Sequence, residues 1–471
     1  MFKPINEILA ESPIAFGTSG ARGLVSDFSD DVCAAFTQSF IRCMQQDFAF
    51  SKVAIGIDNR PSSQKIAAAC MGLLKVMGLK VDYYGVLPTP ALAFKALNDK
   101  VPAIMVTGSH IPFDRNGLKF YRPDGEISKK DEQAIVSVSE ALLNFNPEFE
   151  EQSTEAEELY MQRYLSVFPS DLLQGKRIGI YEHSSAGRDL YYKVFEALGA
   201  DVLRLERTTH FVPIDTEAVS ESDQLKARQW SEQFEFDAIF TTDGDGDRPL
   251  VADEKGNWLR GDTLGILTAR ELGISALAVP VSSSTAIELS GFFAKVVRTK
   301  IGSPYVIEAF SKLDNEASYA GFEANGGFLL GSSISYAGQS LLGLPTRDAL
   351  LPALAVFAAA KNQTISTLVL GLPKRFTASD RLQDVSAASS HSFIQTVMED
   401  PSSFVKQLAL SSEVEKLDTT DGLRLELASG DIIHLRPSGN APELRCYVDT
   451  DDASRTYAIL RKAMDCLLAN Q

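Results

Sequence analysis

Short apolar runs of strand length alternate with amphipathic stretches of helical period through most of the chain, and no other feature restricts the fold as strongly. Val53 to Asp58 is one strand-like run, followed by a helical stretch near Ser62 to Met77 and a second strand at Val81 to Tyr84. Pro102 to Val106 is a third, ending in the polar loop TGSHIPFDRNG. The pattern returns with a strand at Arg177 to Tyr181, a helix near Gly187 to Leu198, a strand near Val202 to Leu205, and Phe236 to Thr242 running into DGDGDRP. A third round has a helix after Gly261, strands at Ala276 to Val281 and Val296 to Thr299, and a helix near Thr285 to Phe293 between them. Strands alternating with helices imply βαβ units and largely parallel sheets. The last hundred residues differ. LRLEL, DIIHLRP and ELRCYVD read as short alternating strands, closed by a helix near Ala453 to Leu468.

The chain is therefore read as α/β: three similar domains with mixed, largely parallel sheets, and a smaller C-terminal α+β domain. Its 471 residues exceed what one hydrophobic core organises. Boundaries fall near residues 152, 255 and 370, giving domains 1–152, 153–255, 256–370 and 371–471. The acidic stretch Pro147 to Glu158 is the best linker.

A net charge of −17 argues against a nucleic-acid partner. An anionic substrate would need a local cluster of arginine, lysine and backbone N–H groups set against that field. The five cysteines form no CxxC pair, consistent with free thiols in a reducing compartment. The opening MFKPINEILAESP lacks an apolar core of signal-peptide length, and no run reaches the roughly 20 apolar residues of a membrane span. The expectation is a cytoplasmic protein without a membrane partner.

Four polar loops carry the chemistry. In the first, Ser109 follows an apolar strand, at the strand end where α/β folds place ligands. It can be a nucleophile, or simply shape a turn; the GxSxG elbow does not fit, because Ile111 stands at its second glycine. In the second, Asp243, Asp245 and Asp247 alternate with glycines before Arg248, so three carboxylates can converge on one hard cation. An EF-hand fails here, since Arg248 replaces its glycine and strands flank the loop. So few carboxylates favour Mg²⁺ with a phosphoryl oxygen completing its shell. The third loop presents Glu323 and Asn325 among glycines, suited to vicinal sugar hydroxyls or equally to an ordinary glycine turn. In the fourth, Arg436 and Arg445 bracket the turn Ser438-Gly439-Asn440, which can cradle an anion or form a surface hairpin.

Taken in this order, and with the opening FGTSGARG, the loops resemble the α-D-phosphohexomutase family over essentially the whole chain, most nearly its bacterial phosphomannomutase branch. The resemblance implies four domains around a central cleft and a Mg²⁺-dependent exchange of hexose 1-phosphate and 6-phosphate. Mannose leads, with glucose and glucosamine phosphates as alternatives, and a sugar-phosphate sensor or a phosphatase as rival classes. It implies that Ser109 carries the phosphoryl group and binds Mg²⁺ with Asp243, Asp245 and Asp247. Arg22, His110, Lys119 and Arg248 would surround the reacting group. Glu323, with Asn325, would orient the sugar, and Lys300 and Ser303 would contact substrate. Arg436, Ser438, Gly439, Asn440 and Arg445 would hold the phosphate not in transfer. The partner is a phosphorylated hexose, the chain a monomer or dimer. Two departures stand out. Gly108 and Ile111 replace the family's usual Ala and Asn, and Asn325-Gly326-Gly327 replaces the Ser-Gly-His of many relatives.

Overall fold

The computed structural model describes residues 3–17, 20–437 and 443–469. The chain forms two compact units, one of residues 1–274 with 320–368, the other of 275–319 with 369–471.

The first unit opens with a sheet whose strands run in the order Ala15–Phe16, Ala21–Leu24, Arg115–Arg122, Ala103–Val106, Lys52–Ile57, Lys80–Val86, with Gly125–Glu126 added beside Arg115–Arg122. Lys52–Ile57 pairs in parallel with both Lys80–Val86 and Ala103–Val106, whereas Arg115–Arg122 returns antiparallel. The central strands are apolar on both faces: every residue of Ala103–Val106 is buried. Such strands need helices on both sides. Helix Ser63–Val76 packs on the sheet and against helix Asp30–Asp47, which buries twelve of its residues and is N-capped by Ser29. Phe36, Phe40 and Phe120 meet in this core, the rings of Phe40 and Phe120 being 4.8 Å apart.

A second sheet has the order Pro249–Ala252, Ala238–Thr242, Arg177–Tyr181, Asp201–Leu205. Its last three strands are parallel, and the first closes a hairpin on Ala238–Thr242. The aspartate loop is the tip of that hairpin. Strands Tyr319–Phe322, Phe328–Leu330 and Leu344–Asp348 form an antiparallel run, with residues 323–327 as the turn of its first hairpin.

In the second unit, Ala276–Pro280 and Lys295–Thr299 pair in parallel. The helix expected between them from Thr285 to Phe293 is only the single turn Ala286–Leu289. Gly291 takes a left-handed φ of 65° and its N–H turns back to the Glu288 carbonyl, so the helix cannot continue. The C-terminal region is a five-stranded antiparallel sheet, ordered Phe376–Gln383, Glu443–Thr450, Ile432–Pro437, Leu423–Leu427, Val414–Asp418, with helix Ala453–Ala469 packed on it. All five cysteines are free thiols, four of them buried. Among the described residues no helix is long and apolar enough to cross a membrane.

Candidate active site

The strand Ala103–Val106 delivers the chain directly into Thr107 to Pro112. Ser109 is fully buried and holds a left-handed φ of 53°, an uncommon conformation for a residue with a side chain. Its N–H donates to Thr107 Oγ1 at 2.8 Å, and its hydroxyl donates to Asp243 Oδ2 at 2.6 Å across 134 residues of sequence. His110 Nδ1 lies 3.4 Å from Ser109 Oγ and 3.0 Å from Nη1 of Arg248.

A residue that the loop motifs did not reveal holds this conformation. Arg60 follows the strand Lys52–Ile57, and its guanidinium is spent on the Ser109 loop. Nη2 donates to the carbonyls of Ser109 and Ile111 at 2.8 and 2.6 Å, and Nη1 to those of Pro112 and Arg115 at 2.6 and 2.9 Å. Nε donates to Asp58 Oδ2 at 3.1 Å, completing all five donors. Asp58 also accepts from Thr107 Oγ1 and Ser63 Oγ, and the ring of Phe211 lies 3.9 Å over the guanidinium carbon. Gly108 is explained here: a Cβ at that position would sit 2.5 Å from the Arg60 guanidinium carbon. The Asp58-Asn-Arg60 triplet at a parallel strand's carboxyl end was the available signal.

In the aspartate loop, the intervening glycines lie where side chains have no room. A Cβ on Gly244 would come 2.7 Å from the Ser109 carbonyl, and Gly246, at φ 71°, would meet Tyr191 and Pro88. The three carboxylates are fully buried, with one oxygen of each within 4.8 Å of the others. Lys119, brought alongside by the pairing of Met105 with Lys119, donates to Asp245 Oδ2 at 2.6 Å and Asp247 Oδ2 at 2.8 Å. Thr89 Oγ1 adds a bond to Asp245 Oδ2 at 2.8 Å. The Oδ1 atoms of Asp245 and Asp247 are buried without a hydrogen-bond partner. Buried acceptors are rarely left so. Two carboxylate oxygens without hydrogen bonds, that of Asp247 3.7 Å from Arg248 Nε, stand beside Asp243 and Ser109 Oγ and form a hard-oxygen donor set that fits a metal ion.

Charge in this pocket is crowded. Burial, then Asp245 and Asp247, push Asp243 well above the usual carboxylate range. Burial works against Asp245 as well, but Lys119 more than compensates and holds it low. The Arg248 cation, followed by burial, lowers His110 to about 3, so the ring is neutral near pH 7. Arg22, on the strand beside Lys119, is lowered to about 10 by burial and by the cations Arg248 and Arg347. The Nε atoms of Arg22 and Arg248 are also buried without hydrogen-bond partners. Several cations that repel one another, with donors unspent, leave a place for an anion.

Glu323 and Asn325 lie in the same unit. Asn325 Oδ1 accepts from the Gly327 N–H at 3.0 Å, and its carbonyl accepts from Thr216 Oγ1 at 2.6 Å, so its oxygens shape the turn. Glu323 is buried and paired with Arg347 Nη1 at 3.3 Å. Arg347 also reaches Asp247 Oδ2 at 3.1 Å. It, too, was not anticipated, because nothing in LPTRD distinguishes it.

Lys300, Ser303, Arg436 and Arg445 belong to the second unit. Arg436 and Arg445 are directly opposite each other on paired strands, and Arg381 is opposite Arg445 on its other side. Like charges so placed are unfavourable unless something neutralises them. Asp421 takes Arg436 Nε at 2.7 Å and the Ile301 N–H at 3.0 Å, tying the Lys300–Ser303 loop to the arginine strand. Ser303 begins helix Ser303–Phe310 and is buried; Lys300 Nζ lies 5.7 Å over the Tyr305 ring. Ser438, Gly439 and Asn440 lie outside the described residues.

With the geometry known, the relatives are informative. Family profiles described as phosphoglucomutase/phosphomannomutase match in three parts: alpha/beta/alpha domain I over residues 13–144, domain III over 260–376, and the C-terminal domain over 375–465. The chain belongs to this family. It is 57% identical to a phosphomannomutase of Salmonella muenchen over 448 residues, 94% of either chain. It is 40% identical to a phosphomannomutase of Sinorhizobium fredii, covering 96% of this chain and 98% of that one. Among solved structures, a phosphoglucomutase/phosphomannomutase family protein from Burkholderia thailandensis superposes with a TM-score of 0.74 at 18% identity, covering 96% and 97% of the two chains, a likeness of fold. As a family member, the chain is a phosphosugar mutase.

Proposed function

We propose that the protein interconverts hexose 1-phosphate and hexose 6-phosphate, with mannose as the preferred sugar, by way of phosphorylated Ser109. The observation that carries this reading is the 2.6 Å bond from Ser109 Oγ to Asp243, in a buried triad of carboxylates flanked by Lys119, Arg22 and Arg248. Mannose is favoured because both relatives described above are phosphomannomutases. The four-domain division at 152, 255 and 370 belongs to the same reading.

The substrate hydroxyl attacks the phosphorus of phospho-Ser109, the P–Oγ bond breaks, and a bisphosphorylated hexose forms. The proton lost by the sugar ends on Ser109 Oγ, whose hydroxyl then donates a hydrogen bond to Asp243 Oδ2. The bisphosphate turns end for end. Ser109 Oγ then attacks the other phosphorus, the bond from that phosphorus to the sugar oxygen breaks, the serine proton passes to that oxygen, and the isomeric monophosphate leaves. Mg²⁺, held by Asp243, Asp245, Asp247 and the serine phosphate, would supply charge stabilisation for the transferring group. Lys119 holds two of those carboxylates by one oxygen each and leaves the other oxygen of each for the cation. Arg22 and Arg248 offer unspent Nε donors to the phosphoryl oxygens, and neutral His110 stands beside Ser109. Glu323 bonds sugar hydroxyls. Lys300 and Ser303 contact the sugar phosphate, while Arg436 and Arg445, with Ser438, Gly439 and Asn440, grip the phosphate not in flight; the placing of Arg436 opposite Arg445 on paired strands, each beside one carboxylate (Asp421 and Glu443), supports that assignment.

Purified protein with Mg²⁺ should turn over mannose 1-phosphate, accept glucose 1-phosphate less well, and carry one phosphoryl group on Ser109 in a fraction of molecules. Ser109→Ala should abolish both turnover and that mass increment while leaving the fold intact. Full mutase activity in the alanine variant would end the mechanism, and a kcat/KM strongly favouring glucosamine 1-phosphate would end the sugar assignment.

A further inference from the structure

We propose that Arg347 is a positioning residue of this reaction, a guanidinium that fastens the sugar-loop carboxylate Glu323 to the metal-loop carboxylate Asp247 and fills the volume that a side chain at position 327 would need. The inference rests on the roles just proposed for those two carboxylates.

The strand Leu344–Asp348 lies antiparallel to Phe328–Leu330, with Asp348 opposite Phe328, and so carries Arg347 beside Gly327. A Cβ on Gly327 would lie 2.6 Å from Arg347 Cδ and 2.7 Å from Cγ. Gly327 does not have a left-handed φ, so space rather than backbone conformation demands glycine there. This accounts for the second departure noted in the sequence: the loop gives up a side chain at 327 and receives the arginine stem.

The buried head reaches two carboxylates from hairpins far apart in sequence. Nε lies 3.1 Å from Asp247 Oδ2 and Nη1 lies 3.3 Å from Glu323 Oε2. Lys119 takes the same Asp247 oxygen at 2.8 Å, so two cationic donors share Oδ2 while Oδ1 is without a hydrogen-bond partner. Two consequences follow from elementary chemistry. A planar fork can hold both carboxylates in one fixed relation, setting how far a sugar on Glu323 stands from the metal loop; a point-like ammonium cannot do this. A cation in contact with Asp247 also opposes the binding of another cation there.

The test compares wild type with Arg347→Met, Arg347→Lys and Gly327→Ala. Mg²⁺ affinity is measured by titration calorimetry, kcat/KM is measured on mannose 1-phosphate, and thermal melting establishes that each variant is folded. Arg347→Met should bind Mg²⁺ several-fold more tightly than wild type, yet lose roughly ten- to hundred-fold in kcat/KM. A residue that only fills space would not tighten metal binding. Arg347→Lys keeps the charge and loses the fork, so its Mg²⁺ affinity should stay within about two-fold while kcat/KM falls as in the methionine variant. Gly327→Ala displaces the stem and should behave like Arg347→Lys. Unchanged or weaker Mg²⁺ binding in folded Arg347→Met overturns the proposal, as does near-normal kcat/KM in Arg347→Lys. Should Arg347→Met not fold, the lysine and Gly327→Ala variants decide. If wild type binds Mg²⁺ but converts no phosphosugar, the proposed function fails, and the Mg²⁺ comparison still upholds or overturns the contact of Arg347 with Asp247.

Discussion

Replacing Arg60 by lysine tests whether the serine loop is held by its neighbours or by its own sequence. The guanidinium makes five hydrogen bonds, four to carbonyls of Ser109, Ile111, Pro112 and Arg115 and one to Asp58. An ammonium has three donors, so at least two of the five acceptors, of which Asp58 and the Ser109 carbonyl are buried, lose their partner, and the flat stack against Phe211 is lost as well. Hydrogen bonds from a charged group contribute about 1.5–3 kcal/mol each, so the loop loses roughly 3–6 kcal/mol of support. That exceeds the approximately 1–2 kcal/mol by which a non-glycine residue resists the left-handed φ seen at Ser109. The loop should therefore relax, and Ser109 Oγ should leave Asp243. At about 1.4 kcal/mol per decade, even the lower figure corresponds to a loss of roughly a hundred-fold in kcat/KM. The assay is coupled mutase turnover on mannose 1-phosphate, with intact-protein mass to follow Ser109 phosphorylation and thermal melting as a control. Gly108→Ala presses on the same guanidinium from the other side and should cost about 1–3 kcal/mol. Arg60→Lys with kcat/KM within about three-fold of wild type would refute the reasoning, because the clamp would then be dispensable.

Three further outcomes are expected. EDTA should abolish turnover and Mg²⁺ should restore it, while Asp245→Asn should raise the Mg²⁺ requirement sharply, since a hard cation loses a charged ligand; activity indifferent to chelation would contradict the metal site. Arg436→Ala should lower kcat/KM by roughly thirty-fold to several thousand-fold, the consequence of removing one partner of a hydrogen-bonded charge pair, about 2–5 kcal/mol, and Arg436→Lys should also be damaging; a near-normal value places the phosphate grip elsewhere. His434 is fully buried beside Tyr447, with Arg424, Arg436 and Asp421 around it, and burial lowers it from 6.5 to about 4. The unfolded chain then binds the proton first, so stability should be complete above about pH 6.5 and fall between there and pH 4, by an amount on the order of 3 kcal/mol from this group. Urea midpoints at pH 7.5 and 4.5 would show it, and His434→Gln should shrink the difference by this group's share, with His110 and His183, also held low, supplying the remainder.

Much of this protein is legible from local rules. Strand–helix alternation declares parallel sheets because a strand buried on both faces must be apolar throughout, as Ala103–Val106 is. Asp243, Asp245 and Asp247 stand out as a candidate cation site because three carboxylates spaced by glycines repel one another without a compensating charge. Arg436 and Arg445 stood out as a bracket around one turn, and the strand pairing makes them direct neighbours. Other features were decided only when distant segments met. Arg60 is 49 residues from the serine whose carbonyl it holds, Lys119 is 126 and 128 residues from the carboxylates it bridges, and Arg347 is 100 residues from Asp247. Asp58-Asn-Arg60 marks only a strand end and Thr-Arg-Asp marks nothing, since most of the partners of these guanidiniums are carbonyls and carboxylates supplied by other segments. The same holds for Gly108 and Gly327. In the sequence they are missing side chains; in the folded chain they are the spaces through which Arg60 and Arg347 pass. Residue types and short spacings determine which chemistry a loop can offer, whereas packing between remote strands determines which charge neutralises which and in what geometry.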